Sequence, residues 1–190
     1  MKRNFVAVLL LLFVSGIAQN EPGQGRVQRM YDAYEAQLRA RLDQHFHDGE
    51  YQACIGILRV LVAQDPHDVQ TTSDLVFMLG NVGLDGEALS TAISFRRAHA
   101  ANPYAAQIEA NYYVNPTVKL YERIPAVLEP VVGESRFLQT FVALGRAYEE
   151  MGLLKEALRV HHLRLERFPD DPSSNVVRNK IAQLEARIKG

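Results

Sequence analysis

Apolar residues recur every three or four positions through most of the chain, which is the spacing of one face of an α-helix. The first stripe consists of Val27, Met30, Tyr31, Tyr34, Leu38, Leu42 and Phe46. A second runs from Tyr51 to Val62, after the break HDGEY. No segment alternates apolar and polar residues over a strand length, and breaks containing Gly or Pro recur along the chain. The pattern predicts an all-α chain of short antiparallel helix pairs.

A glycine followed at a fixed distance by a small residue occurs in three of these segments, HDGEYQACI, NVGLDGEAL and EMGLLKEAL. The small residues are Cys54, Ala88 and Ala157, separated by 34 and 69 residues, about one and two periods. Two antiparallel helices approach closely only where a side chain is small. We therefore expect each glycine to form the turn of a pair, and each small residue to lie where its two helices cross.

A helix–turn–helix period of 34 residues is typical of the tetratricopeptide repeat, and residues 26–190 resemble that family. The best-matching unit, 138–171, carries at framework positions Phe141, Leu144, Gly145, Tyr148, Ala157 and Pro169. In this unit we expect Gly145 at the contact where Ala157 crosses the first helix. The resemblance implies a short right-handed solenoid of stacked antiparallel helix pairs.

The other predicted units match less well. They span residues 37–67 and 68–102, and a divergent unit spans 103–134. Three prolines interrupt the divergent unit, so its helices should be short or kinked. Residues 172–190 carry a narrow apolar stripe opposite a charged face, which suits a capping helix that covers the last pair.

The N-terminus, residues 1–18, has the features of a secretory signal peptide. Two basic residues precede an unbroken run of ten apolar residues, and the small residues Gly16 and Ala18 follow. The run is shorter than the about 20 residues of a spanning helix. We expect cleavage after Ala18, a polar linker over 19–25, and a secreted or periplasmic mature protein. The alternative is an uncleaved membrane anchor over residues 5–18.

Composition narrows the classes of function. The net charge is −1 and no basic stripe is present, so a nucleic-acid partner is not expected. No nucleophile elbow, phosphate loop or dinucleotide fingerprint occurs. The acidic pairs, Glu149–Glu150 and Asp170–Asp171, are interpreted as solvated charges at helix ends. The sequence therefore predicts a protein that is not an enzyme and has no cofactor.

Cysteine and histidine give no predicted metal site. Cys54 is the single cysteine, which excludes a disulfide within the chain and a cysteine cluster, and its place on an apolar stripe predicts a buried, unreactive thiol. The motifs HFH and HH put His45 beside His47 and His161 beside His162, but neither pair has the i, i+4 spacing of a helical metal pair. We expect His161 to be partly packed and the others to be solvated.

In tetratricopeptide stacks the first helices of successive pairs line a concave groove that commonly holds a partner's peptide or helix. The resemblance implies these groove positions: Arg39, Asp43, Phe46, Ser73, Phe77, Asn81, Gln139, Val142, Arg146 and Glu149. Mixed polar and aromatic side chains suit a peptide surface. We expect Phe77 and Arg146 to be the main anchors, with Glu149 holding Arg146 in place.

The sequence thus predicts an exported protein-binding module, a cell-envelope accessory or scaffold protein. The tail LERFPDDPSSNVVRNKIAQLEARI also resembles the closing repeat of bacterial periplasmic accessory proteins. Two alternatives stay open. One is a structural subunit of an envelope assembly, and the other is a small-molecule or peptide-binding module with a closed pocket near the proline-rich unit.

Overall fold

The computed structural model describes residues 22–190, and within them the chain forms nine α-helices and no β-strand. The helices are α1 (Pro22–His47), α2 (Tyr51–Gln64), α3 (Val69–Asn81), α4 (Asp85–Ala98), α5 (Pro103–Val114), α6 (Ile124–Val132), α7 (Leu138–Glu150), α8 (Leu154–Arg167) and α9 (Ser174–Lys189). A 3-10 turn, Tyr121–Arg123, precedes α6. The all-α prediction is confirmed. The predicted signal peptide lies outside the described residues, as does the start of the predicted linker.

The first helix begins earlier than the sequence predicts. Pro22 is the first residue of α1, so the backbone is already helical over part of the predicted linker 19–25. Proline is tolerated there because the N–H that it lacks would be unpaired in the first turn of any helix. The first compact unit of the chain ends at Gln37. Its described apolar stripe is exposed throughout: Val27, Met30, Tyr31 and Tyr34.

The three glycines that were predicted to form turns share one conformation. Gly49, Gly83 and Gly152 have φ angles of 75°, 78° and 73°, in the left-handed region that favours glycine. After the last of them, the amide of Leu153 donates to the carbonyl of Tyr148 at 2.8 Å. This bond closes the helix end in the manner of a Schellman motif. The turns between α1 and α2, α3 and α4, and α7 and α8 are therefore built alike.

The small residues after these turns lie at helix crossings, as expected. Cys54, Ala88 and Ala157 are each 0% exposed. Gly145 has a different neighbour from the one expected. A Cβ atom placed on it would lie 3.0 Å from Cε1 of His161, so the imidazole of α8 fills the space beside the glycine. His161 is buried, in agreement with its predicted packing within the pair.

Each helix from α2 onward packs against the next, and α3 also contacts α5 while α5 contacts α7. α3, α5 and α7 therefore lie side by side in one layer, as the first helices of stacked pairs do. Two apolar clusters fill the interior. The N-terminal core is built by α2 to α5 around Leu79, and the C-terminal core is built by α5 to α9 around Phe141.

A charged network joins α4 to α5 inside this packing. Glu109 is 3% exposed. It forms an ion pair with Arg96 and accepts a hydrogen bond from the Tyr113 hydroxyl at 3.0 Å. Burial, together with this bond to a carboxylate, raises the pKa of Tyr113 to about 12. Glu109 thus supplies the acceptor for the buried Tyr113 hydroxyl and for the half-buried Arg96 guanidinium at the junction of successive pairs.

The divergent unit keeps the helix-pair arrangement with shortened helices. α5 has 12 residues and α6 has nine, as the prolines predict. Pro125 stands in the first turn of α6, where its missing N–H would be unpaired in any helix, whereas Pro130 lies inside α6 and removes one helical hydrogen bond. At the other end of the stack, α9 packs on α8 and buries Val177, Ile181 and Leu184. Leu184 belongs to the C-terminal core, so α9 covers one end of that core, which is the capping role expected of residues 172–190.

Candidate partner-binding clefts

A cleft of about 340 Å³ lies between α1, α2 and α3. We name it the N-terminal cleft. It is lined by Arg39, Leu42, Asp43, Phe46, Cys54, Leu58, Asp74, Phe77 and Met78. Three groove residues predicted from the first unit therefore share one cleft with Phe77 from the second. Helical stacking produces this juxtaposition, because the first helices of successive pairs lie side by side.

Two aromatic rings stand over an apolar floor in this cleft. Phe77 is 61% exposed and Phe46 is 50% exposed, whereas Cys54, Leu58 and Met78 beneath them are buried. An exposed ring beside a buried apolar surface is the usual form of an interface anchor. The exposure also shows that Phe77 is not a core residue, so its side chain is available for contact.

The cation of the N-terminal cleft is already paired. Nη2 of Arg39 lies 3.1 Å from Oδ2 of Asp68, and both of its terminal nitrogens approach the Thr71 hydroxyl at 3.4 Å. Burial raises the pKa of Asp68, but hydrogen bonds from Thr71 and the bond from Arg39 outweigh it and hold that pKa below its ordinary value. Arg39 is thereby fixed at the cleft wall with its charge compensated.

Two further carboxylates line the N-terminal cleft. Asp43 is exposed. Asp74 is half-buried, and burial raises its pKa although Gln70 donates a hydrogen bond to Oδ1 at 2.8 Å. With Arg39 paired to Asp68, the lining carries an excess of negative charge. The cleft therefore suits a segment that presents apolar side chains together with Lys or Arg.

Phe77 and Asp74 also line a second cleft, which we name the central cleft. It has a volume of about 180 Å³ and lies between α3 and α5. Its remaining lining residues are Ser73, Val76, Gly80, Ile108, Asn111, Tyr112 and Asn115. Ser73 is thus brought next to Phe77 as the sequence predicts. Asn81 is exposed at the end of α3 and belongs to neither lining.

The predicted groove residues of the last unit form a separate group on α7. Arg146 lies with its guanidinium 5.3 Å from the ring centroid of Tyr121 and pairs with Glu150 at 3.8 Å. Gln139 is exposed and Val142 is half-buried. None of these residues lines the N-terminal or the central cleft.

Glu149 has a different role from the one expected of it. It accepts from Nε2 of His161 at 2.9 Å and from Nζ of Lys180 at 2.8 Å, so it joins α7 to α8 and α9 instead of holding Arg146. Burial opposes its ionisation, but the bonds from Lys180 and His161 prevail and lower its pKa. The i, i+4 neighbour Glu150 takes the place beside Arg146, because Glu149 points toward the following helices.

Most side chains that could act as a nucleophile or as a metal ligand are buried or already bound to other residues. The Cys54 thiol is buried and burial raises its pKa, which makes it a poor nucleophile, as predicted. Asp171 was expected to be solvated, but it accepts from the Ser173 amide at 2.8 Å and lies 3.5 Å from Arg164. Among residues 22–190, no group of three or more His, Cys, Asp or Glu side chains is placed to hold a metal ion.

One contact between two histidines was not predicted from the sequence. His67 and His99 lie in different helix pairs, and Nδ1 of the first is 2.8 Å from Nε2 of the second. His99 is half-buried, and neither of these two histidines belongs to the motifs HFH and HH considered above. Within those motifs the expectation of solvated side chains is wrong for His45, which is half-buried and contacts Glu50. The sequence feature that could have indicated the contact between His67 and His99 is their separation of 32 residues, which is close to one repeat period.

Comparison with solved structures identifies the type of fold. A tetratricopeptide repeat protein from Parabacteroides merdae ATCC 43184 superposes with a TM-score of 0.63 at 13% identity, over 80% of this chain and 60% of that one. MamA from Desulfovibrio magneticus RS-1 gives a TM-score of 0.61 at 15% identity, over 82% of this chain and 85% of that one. The chain has a tetratricopeptide-like helical-repeat fold. No protein-family model and no curated protein matches the sequence. Within residues 22–190, no helix combines the length and the apolar character that crossing a bilayer requires.

Proposed function

We propose that this protein is an exported binding module that holds an extended or helical segment of a partner protein across the N-terminal and central clefts. The observation that carries the proposal is the exposure of Phe77, 61%, between two clefts that it lines on both sides. A ring in that position exposes apolar surface to water, which is unfavourable, and it contributes nothing to the core. Both features fit a residue that contacts a binding partner. The helical-repeat fold supports a protein partner, because such stacks offer extended binding surfaces.

The chemistry of the clefts supports binding over catalysis. The thiol is buried, and the carboxylates of the N-terminal cleft stand beside apolar and aromatic side chains with no nucleophile or base arranged between them. Asp43 and Asp74 favour a partner segment with Lys or Arg next to an apolar residue. A cell-envelope scaffold or accessory role follows from this surface together with the export signal proposed for residues 1–18.

We expect wild-type protein to capture its partner from a native envelope extract and the Phe77→Ala variant to capture much less. Truncating a central aromatic anchor costs about 2 kcal/mol, roughly thirtyfold in Kd. The melting temperature should be unchanged because the ring is exposed. The partner is identified by mass spectrometry, and affinities are then measured with that purified partner.

The control is Val176→Ala, which removes an equally exposed apolar side chain, 68% exposed, from α9. It should bind as the wild type does. Arg146→Ala tests whether the separate group on α7 belongs to the same surface. Undiminished binding by Phe77→Ala would place the partner elsewhere on the molecule.

Export is tested by the mass of the native protein. Cleavage after Ala18 should give a chain that begins at Gln19 and is recovered from the soluble periplasmic or secreted fraction. Intact-mass spectrometry of the protein purified from its own cells distinguishes the two forms. A mass that retains residues 1–18, found in a membrane fraction, would instead support the anchored alternative.

A further inference from the structure

Two imidazoles from successive helix pairs meet at one side of the stack. His67 lies in the loop between α2 and α3, and His99 is the C-cap residue of α4. Their nitrogens, Nδ1 of His67 and Nε2 of His99, are 2.8 Å apart, and the rings meet edge to face with centroids 5.1 Å apart. The contact joins the end of one pair to the end of the next.

The ring of His99 is held in one orientation. Its Nδ1 lies 2.9 Å from the carbonyl oxygen of Phe95, and its ring stacks at 4.3 Å on the Phe95 ring. A carbonyl can only accept, so Nδ1 carries the hydrogen and Nε2 carries the lone pair. That lone pair points toward His67. Donation of the second ring N–H to a backbone carbonyl is the arrangement found in metal-binding histidines.

His67 has more freedom than His99. Its backbone amide is fixed by Oδ1 of Asp65 at 2.9 Å, whereas the residue itself is exposed. In the metal-free protein Nδ1 of His67 donates its hydrogen to Nε2 of His99. In the other tautomer the same nitrogen offers a lone pair, so both nitrogens become available to a cation without any change in the backbone.

We propose that His67 and His99 together bind one late first-row divalent ion, zinc or copper(II), whose other ligands are water. Two metal–imidazole bonds of about 2.0–2.1 Å place their nitrogens roughly 3 Å apart. The observed 2.8 Å is close to that distance, but the His67 ring must turn away from the line between the two nitrogens so that both lone pairs converge on the ion. The exposure of His67 leaves room for this movement. Imidazole ligands favour zinc, copper and nickel over magnesium and calcium.

The surroundings leave space for the water ligands. A cleft of about 370 Å³ is lined by His99 together with Pro66, Thr72 and Ser94. Since the described residues place no third His, Cys, Asp or Glu side chain at this position, water must complete the coordination. A bound ion would tie the α2–α3 loop to the end of α4. It would therefore stabilise the folded chain by mass action.

Zinc titrated into chelator-treated full-length mature protein should reveal one saturable site by isothermal titration calorimetry, and magnesium should give none. His67→Gln and His99→Gln should each weaken zinc binding at least tenfold, which is the lower end of the loss caused by removing even an outer partner of a metal site. Zinc should also raise the melting temperature of the wild type, but not of either variant.

His162→Gln is the matched control, because His162 is exposed on α8 outside this contact. It should bind zinc as the wild type does. If His99→Gln lowers the stability of the fold, His67→Gln carries the test, since that residue is exposed. Absence of saturable zinc binding by the wild type would overturn the proposal, as would equal binding by wild type, His67→Gln and His99→Gln.

Discussion

Phe141→Ala should lower the free energy of unfolding by about 3–5 kcal/mol. Phe141 is 1% exposed, and its ring meets that of Phe168 edge-on at a centroid distance of 5.5 Å. Truncation removes the largest fully buried side chain of the C-terminal core and leaves a cavity that the surrounding helices fill only in part. Urea unfolding followed by circular dichroism measures the loss.

Hydrogen exchange should locate that loss in the C-terminal half. In a helical stack each helix pair contacts only the adjacent pairs, so destabilisation is transmitted weakly along the chain. Amide protection should fall most in α6 to α8 and least in α3. The exposed Val176→Ala serves as the control and should change stability by no more than ~0.5 kcal/mol. Equal loss of protection in α3 and α8 would argue that the two cores form one cooperative unit.

Glu109→Ala should destabilise the protein by about 3 kcal/mol, the lower end for breaking a buried ion pair, because Arg96 keeps partial access to water. The change leaves the guanidinium of Arg96 and the hydroxyl of Tyr113 without their shared acceptor. Thermal and urea unfolding give the effect. Glu166→Ala, at an exposed position on α8, is the matched control and should be close to neutral.

A combined variant separates charge from packing in this network. Replacing Arg96 and Glu109 together by Met, with Tyr113→Phe, removes every partner at once. Apolar replacement of a whole buried network is often neutral or stabilising, so most of the loss seen in Glu109→Ala should be recovered. If the triple variant is as unstable as Glu109→Ala, the helix junction depends on the shape of the glutamate and not on its charge.

The turns and crossings could be predicted because their physical causes are local. A glycine at φ near +75° is needed wherever a helix ends in this type of turn, and a small side chain is needed a fixed distance later. Both requirements are visible in HDGEY, NVGLDG and EMG. The start of α1 was misjudged because proline and glycine read as breakers, although proline is compatible with the first helical turn.

For the candidate binding site, the sequence predicted which helices supply its residues, but not the contacts that these residues make. Helical period and repeat register placed Phe46 and Phe77 on first helices, and the structure brings them into one cleft. The pairing of charges was not predictable. Arg146 has both Glu149 and Glu150 within reach along α7, and it pairs with Glu150 because donors on α8 and α9 engage Glu149.

By itself, the sequence determined that this chain is all-helical, that it repeats with a period of 34 residues, and where its pairs turn, because these follow from spacing within about one helix pair. Only the tertiary structure decided which side chains meet across pairs: Glu109 with Arg96, Glu149 with Lys180, and His67 with His99. Such contacts depend on how adjacent helices rotate and slide when their apolar faces pack. A shift of a few ångströms exchanges one polar partner for another while leaving the hydrophobic pattern unchanged.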